Sequence, residues 1–372
     1  MNFNLIGKID KTLFVAIIIL IFIGLTIIFS TSYSSIGTDF LNFKKQFVFS
    51  IFGVVLMIGI SFFDYRALKN YTGIFYIFAC FVLFAVLLSG SLIRGTASWF
   101  SFGSFNFQPA ELVKIVVIII MAKYLAKENI LSNDLKKIIV SGIYIALPVF
   151  LIILQPDFGS ALVIMFIWLA MLFIAGINKK YIILILFSGL LLFTASWSYV
   201  LKDYQKDRII TFVNPQSDPH GAGYNVIQSI IAIGSGEIWG KGLGHGSQSQ
   251  LNFLPEKHTD FIFAVVAEEM GFIGVLLVLG LFGIIFYRLF EIVRESQNNF
   301  GKLLVLGIAF VLMFHVIVNA GMNMGIMPVT GIPLPFISYG GSSLVSFLIM
   351  MGLVQSVYIK GRGYKIEKED DE

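Results

Sequence analysis

Leu254-Pro-Glu-Lys-His-Thr-Asp-Phe-Ile-Phe-Ala-Val-Val-Ala-Glu-Glu-Met270 closes the one long polar segment of this chain and runs directly into an apolar helix. His258, Thr259 and Asp260 therefore fall where water meets membrane. That boundary suits chemistry on a substrate with a polar head and a lipid tail. An acidic side chain at such a depth is costly to keep for decoration alone, so Asp260 is the first candidate catalytic residue. Glu268 follows at i+8, near the face of Asp260 and deeper in the span; it reads as a packing hydrogen bond to a neighbouring span more readily than as a second catalytic carboxylate.

Working outward, the 372 residues are 57% hydrophobic and only 13% charged, with a mean hydropathy of +0.88. A soluble chain carries about 25% charged residues. The composition thus describes an integral membrane protein with no hidden soluble domain. Cys80 stands alone inside an apolar run, which excludes an intrachain disulfide. The first apolar run lacks a small-residue cleavage site and reads as a retained span.

A membrane-crossing helix needs about 20 apolar residues. Ten stretches qualify: Thr12–Thr31, Gln46–Phe63, Thr72–Leu92, Ala110–Ala126, Ile138–Gln155, Gly159–Gly176, Tyr181–Val200, Phe261–Tyr287, Leu303–Met327 and Ser342–Ile359. The expected fold is an all-α polytopic membrane protein forming a single domain over 1–372. A large extracytoplasmic loop, 201–260, lies between the seventh and eighth spans, and 361–372 is a short cytoplasmic tail. Lys8, Lys11, Arg66, Lys69, Lys123, Lys127, Lys179, Lys180, Arg288, Arg294 and Lys360 then share one side, and the positive-inside rule places both termini in the cytoplasm. Two further polar segments, Arg94–Pro109 and Pro328–Gly341, face outward. No internal repeat is visible, which disfavours a transporter built from duplicated halves.

Gln108-Pro-Ala-Glu-Leu-Val-Lys114 opens the fourth span, with Pro109 suited to a helix start and Glu111 and Lys114 three residues apart on one face. A pair at that depth either lines a cavity or locks two helices. Lys45, at the start of the second span, is either a cavity cation or an ordinary snorkelling lysine. In the large loop, Arg208 precedes a stretch around 225–234 with helical apolar spacing, read as an interfacial helix. Gly234 to Gly246 then carries six glycines and Lys241, a pliable backbone that either cradles phosphate or simply links helices. Asp157 in Gln155-Pro-Asp-Phe-Gly159 reads as a helix cap. His258 either orients Asp260, binds substrate or does neither. No metal-ligand spacing occurs. Asn323 to Ser343 is too rich in proline and glycine to be helical throughout, and irregular backbone at membrane depth must be shielded or line a cavity. It is expected to close an outward pocket.

Taken together, Gln108–Lys114, Gln155–Gly159, Gly223-Tyr-Asn-Val-Ile-Gln-Ser229, Leu254–Phe263 and Pro328-Val-Thr-Gly-Ile-Pro-Leu-Pro-Phe-Ile-Ser-Tyr-Gly-Gly-Ser-Ser343 resemble the SEDS family (shape, elongation, division and sporulation) over almost the whole chain. The string Gly242–Gln250 is closer to the elongation member than to the division member. Asn225 and Glu237 depart from the Gln and Gly expected at those positions. The resemblance implies a peptidoglycan glycosyltransferase of the bacterial plasma membrane that polymerises lipid II on the outer face, with a class B penicillin-binding protein as transpeptidase partner, membrane lipid around it and no nucleic acid. It assigns the catalytic role to Asp260. Glu111, Lys114 and Lys45 match the family's other charged positions, and Arg208, Lys241, His258 and Thr259 join them as expected substrate-binding residues.

Pyrophosphate leaves readily if cations hold its charge, while the acceptor hydroxyl needs a base. Either Phe261 and Phe263 keep Asp260 dry enough to act as that base, or a divalent cation, Mg or Mn, sits there instead. The competing classes are a lipid-precursor flippase, which needs a charged path across the whole bundle, and a noncatalytic scaffold, for which Asp260 is dispensable.

Overall fold

The structure is a computed structural model and describes residues 8–34, 37–93, 96–103, 105–127, 134–199, 203–218 and 221–369. In chain order, α1 (Lys11–Ser32) starts at Asp10, whose carboxylate accepts from the Leu13 amide. A two-residue ribbon, β1 (Tyr33–Ser34) with β2 (Gly37–Thr38), leads to α2 (Leu41–Phe62) and α3 (Leu68–Ser89). Next come β3 (Ser91–Ile93), β4 (Thr96–Phe102) and β5 (Phe105–Phe107), an antiparallel sheet in that order. Helices α4 (Pro109–Leu125), α5 (Asp134–Leu154), α6 (Phe158–Ile174) and α7 (Lys179–Tyr199) follow. The large loop holds α8 (Asp203–Val213), α9 (Ala222–Ser235) and α10 (Ser247–Gln250), before α11 (Ile262–Glu295), α12 (Asn299–Asn323) and α13 (Gly341–Glu369).

Each of the ten predicted spans coincides with a helix: α1 to α7 and α11 to α13. Seven of these, α1, α2, α3, α5, α11, α12 and α13, are long and apolar enough to cross a membrane. Helices α4 and α6 have 17 residues each, or about 25 Å at 1.5 Å per residue. Most of α4 is buried among other helices, while α6 keeps Leu162 and Phe173 exposed. The chain is a multi-pass membrane protein. Helix α2 packs along α13, α3 along α4, α1 along α11, and α12 against both α4 and α6. Around this centre, Ile183, Leu184, Phe187, Leu190 and Leu191 on α7 and Ile74, Ile77, Phe78 and Phe81 on α3 are exposed, a surface meant for lipid.

Three features depart from the sequence expectation. The segment Arg94–Pro109, read only as polar and outward-facing, holds strands β4 and β5, and β3 comes just before it. In the central strand of the sheet, Thr96–Phe102, Trp99 lies opposite Ser91 and Phe100 opposite Phe107. The 225–234 helix exists as α9, but Val226, Ser229 and Ala232 bury its inner face on protein, and the Ser229 hydroxyl donates to the Asn323 carbonyl at 2.9 Å. The eighth span is not one continuous helix: α11 breaks at Gly271 (φ 66°, ψ −166°). The loop repairs that break, because Phe272 N donates to Glu237 O at 2.9 Å and Lys241 N to Glu268 O at 2.9 Å. Backbone groups freed inside a membrane protein need such partners. A Cβ at Gly271 would lie 2.3 Å from Gly240 N, so the crossing of loop and helix requires glycine.

At the Asp10 end of the bundle, Arg288 of α11 pairs with Asp10 and Glu291. Gln355 of α13 donates to the Asp10 carbonyl at 3.1 Å and accepts from its amide at 2.9 Å. Helices α1, α11 and α13 are thereby fastened together, far from Asp260.

Candidate active site

At the opposite end of the bundle a cavity of about 90 Å³ is lined by Trp99, Gln108, Glu111, Lys114, Asp157, Ser160, Thr259, Asp260, His315, Gly331, Pro333, Tyr339 and Ser342, among others. Seven stretches of chain converge there: strand β4, the starts of α4, α6 and α13, the Thr259–Asp260 turn, the middle of α12 and the irregular 324–340 segment.

Glu111 and Lys114 sit on one face of α4, as their spacing requires, and are almost wholly buried. Lys114 Nζ donates to Glu111 Oε1 at 2.8 Å. It also lies 3.3 Å from His315 Nε2, while His315 Nδ1 lies 3.0 Å from the Pro333 carbonyl. A carbonyl can only accept, so Nδ1 carries the hydrogen and Nε2 offers its lone pair to the ammonium. Glu111 Oε2 is buried and has no hydrogen-bond partner. A bare carboxylate oxygen in such a place is expensive, and Glu111 is one of the residues lining the cavity. Asp157, the expected cap, accepts from Ser160 N at 3.0 Å and from Gln108 Nε2 at 2.7 Å, clasping the start of α6 to that of α4. Gly159 lets α6 approach the irregular segment closely, since a Cβ there would meet the Thr330 carbonyl at 2.7 Å.

Asp260 borders the cavity from the other side. Its backbone carbonyl accepts from Asn323 Nδ2 at 2.9 Å and from Asn319 Nδ2 at 3.1 Å. Asn319 also donates to the Ile332 carbonyl at 2.8 Å. Thr259 is buried, gives its hydroxyl to Glu256 Oε2 at 2.8 Å, and its carbonyl accepts from the Ser338 hydroxyl at 2.7 Å. Phe261 and Phe263 are buried in the core and do not line the cavity, so they do not supply the dry wall expected of them. The cavity walls instead mix polar side chains with Trp99, Val163, Ile332 and Pro333.

Of the residues singled out from sequence, the cavity thus gathers Asp260, Thr259, Glu111, Lys114 and the capping Asp157. His258 lies outside it, with Nδ1 3.0 Å from Thr31 Oγ1 at the end of α1 and its backbone carbonyl accepting from Tyr339 N at 2.8 Å. Burial, helped by neighbouring Lys257, pushes its pKa down to about 4. Burial also lowers that of Lys257, whose ammonium donates to Ser249 O at 2.6 Å and Asn252 Oδ1 at 2.7 Å. Lys45 and Arg208 are half-buried on α2 and α8 and do not line the cavity.

Lys241 belongs elsewhere. It pairs with Glu268 at 3.2 Å, and Glu268 further accepts from the Gln248 and Ser249 amides at 2.9 and 3.1 Å. Glu269 accepts from the Ser30 hydroxyl at 2.8 Å and from Gly244 N at 3.2 Å. The Gly244 amide of the glycine-rich loop and the Gln248 and Ser249 amides just after it therefore bond the protein's own carboxylates, where the sequence left a phosphate cradle and a plain link both open. Glu268 bonds to this loop, not to a neighbouring span.

Sequence reasoning missed Trp99, Gln108, His315 and the asparagines. A signal was present: His315, Asn319 and Asn323 recur every four residues in an otherwise apolar span, one polar stripe on α12.

The family model for the cell cycle proteins FtsW, RodA and SpoVE matches residues 10–362. The chain belongs to that family. It is 35% identical to the peptidoglycan glycosyltransferase MrdB of Escherichia coli K12 over 349 residues, covering 94% of this chain and 93% of that one. It is likewise 35% identical to the peptidoglycan glycosyltransferase RodA of Treponema pallidum, covering 95% and 98%. Among solved structures, a chain from a peptidoglycan synthase complex that coordinates polymerization and crosslinking superposes with a TM-score of 0.80 at 31% identity, covering 95% and 98%. The rod shape determining protein RodA of Thermus thermophilus gives 0.69 at 28% identity, covering 94% and 96%. This FtsW/RodA/SpoVE protein therefore carries its converging polar groups within a fold shared along nearly its whole length.

Proposed function

We propose that this FtsW/RodA/SpoVE protein is a RodA-like peptidoglycan glycosyltransferase that polymerises lipid II on the outer face of the bacterial plasma membrane, with both termini in the cytoplasm. One observation carries the site assignment: Asp260, Lys114 and Glu111, whose second carboxylate oxygen has no partner, line a single cavity. The other face of α4 supports it. There Pro109, Leu112, Val113 and Val116, with Phe75, Phe78 and Leu353, line an apolar groove of about 410 Å³. One short helix thus separates a place for a polar head from a place for a hydrocarbon chain.

In the reaction the acceptor sugar's 4-hydroxyl attacks the anomeric carbon of the donor. The bond from that carbon to the pyrophosphate oxygen breaks with inversion. Asp260 accepts the hydroxyl proton, and Lys114 stabilises the charge arriving on the leaving pyrophosphate. Glu111 holds Lys114 and turns its second oxygen to a sugar hydroxyl. At about 90 Å³ the cavity holds a few waters, so the lipid II head group enters only as the surrounding segments part. The lining does not fit a resident metal: among the described residues no three His, Cys, Asp or Glu side chains are grouped to hold one. No step is routed through an ion. The divalent reading survives as a cation arriving with the pyrophosphate, and a polymerisation rate indifferent to chelator removes it.

A flippase needs a polar path through the bundle. Beneath Lys114 and His315, Ile118, Met121, Met171, Ile308 and Val311 are fully buried and close the interior with apolar packing. A class B penicillin-binding protein is the proposed partner, consistent with the peptidoglycan synthase complex among the structural neighbours. The test is lipid II polymerisation by the purified chain with that partner, wild type against Asp260→Ala. Long strands from wild type and none from a folded, partner-bound variant support the reading; equal polymer from both removes Asp260 from the mechanism.

A further inference from the structure

We propose that His315 is a positioning residue that aims the Lys114 ammonium at the pyrophosphate of a lipid-linked substrate. The proposal rests on the reading of Lys114 given above. An ammonium has three hydrogens. Glu111 Oε1 takes one at 2.8 Å and His315 Nε2 takes a second at 3.3 Å, which leaves the third for the cavity that Lys114 lines. With Glu111 alone, the flexible lysine stem would be free to rotate about that single bond. A neutral acceptor fixes direction without cancelling charge.

The imidazole is itself fixed from two sides. Nδ1 is tied to the Pro333 carbonyl at 3.0 Å, and the ring meets Phe347 edge-on, with centroids 5.0 Å apart at 88°. Pro333 belongs to the irregular segment that also lines the cavity, so His315 links the α4 cation to that wall. One turn further along α12, Asn319 bonds the Asp260 and Ile332 carbonyls. The same helix face therefore sets both the cation and the Asp260 backbone, which keeps the separation between them constant.

The measurement is binding of undecaprenyl pyrophosphate and of undecaprenol, the same chain without the phosphates, to the full chain in detergent. Wild type, His315→Met, His315→Gln and Lys114→Met are compared. Methionine matches the length of histidine but offers no good acceptor. Glutamine offers an oxygen to Lys114 and an amide hydrogen to Pro333. The expected result is an affinity for the pyrophosphate lipid about tenfold weaker in His315→Met, the order of one charge-assisted hydrogen bond. Undecaprenol affinity holds, and His315→Gln returns to within about threefold of wild type. Equal weakening for both lipids, or no recovery with glutamine, overturns the proposal in favour of mere packing. If Lys114→Met weakens pyrophosphate binding and His315→Met does not, only His315 loses its role. If Lys114→Met changes neither affinity, the underlying reading of Lys114 fails. Should His315→Met not survive purification, His315→Phe keeps an aromatic ring beside Phe347 and carries the same arm.

Discussion

Two buried carboxylates paired with lysine lie near the same end of this molecule, and they are built in opposite ways. Glu268 gives its oxygens to two backbone amides and Lys241, and beside it Glu269 takes a serine hydroxyl and a glycine amide. Glu111 gives one oxygen to Lys114 and leaves the other bare beside a cavity. Buried polar groups in folded proteins are normally satisfied, and a partly satisfied one marks either strain or a place for a ligand. By that criterion the first pair is a clamp that holds the glycine-rich loop across the break in α11, and the second is machinery waiting for a substrate.

The strongest way to break this contrast is at Asp260, across the cavity from Glu111. Asp260→Asn should lower lipid II polymerisation by roughly 10²- to 10⁴-fold, the range for loss of a general base, with little change in melting temperature; activity within tenfold of wild type would remove it as the base. Glu111→Gln comes next, with a loss of about 10- to 100-fold and a modest fall in melting temperature, because the amide oxygen keeps the hydrogen bond to the buried Lys114 ammonium but removes its counter-charge. Glu268→Ala should behave in the reverse sense. Its three charge-assisted contacts make a loss of about 3 kcal/mol reasonable, a fall of roughly 5 °C in melting temperature, while folded protein polymerises within a few-fold of wild type. Should Glu268→Ala abolish activity in a protein that melts normally, the division between clamp and machinery is wrong.

Much of this was legible in the chain. Apolar runs of about 20 residues mark spans whatever their partners, because the membrane imposes length and composition directly. Every one of the ten runs became a helix. Glu111 and Lys114 were also legible, since helical spacing puts i and i+3 on one face. What the chain hid was pairing. Nothing local tells that the amides near Gly244 and Ser249 fold back on Glu268 and Glu269, or that Lys241 points there too. Nothing local tells that His315, some 200 residues from Lys114, reaches it. The break at Gly271 was equally hidden, because glycine is common in membrane helices and only the crossing of the loop requires a left-handed backbone there.

His258 lies between the two regions, bonded to Thr31 next to the Ser30 that holds Glu269, and it sharpens the comparison through pH. Its pKa is depressed to about 4 in the fold by burial and by Lys257, against about 6.5 when unfolded. The unfolded chain thus binds the proton first as pH falls. The stability that neutral His258 contributes is complete above pH 6.5 and is lost as pH drops from there through 4. Wild type should lose more melting temperature between pH 7.5 and 5 than His258→Gln does. Identical losses would mean that His258 is not buried in its neutral form.

The smallest expected effect concerns the loop of the clamp. Glu237, where the family resemblance led us to expect glycine, has a φ of 49°, the left-handed region that costs a residue with a Cβ about 1 kcal/mol or more. It cannot relax out of that conformation, because its carbonyl accepts from Phe272 N at 2.9 Å just past the Gly271 break. Glycine removes the steric cost but frees the unfolded chain, so the two terms partly cancel. Glu237→Gly should therefore raise the melting temperature by only about 1–2 °C and leave polymerisation unaltered. Glu237→Val, which is β-branched and tolerates a positive φ poorly, should lower it by more than glycine raises it. If valine is as stable as glutamate, the loop is not held across the helix break as the hydrogen bonds indicate, and the clamp would be a looser structure than the pocket it adjoins.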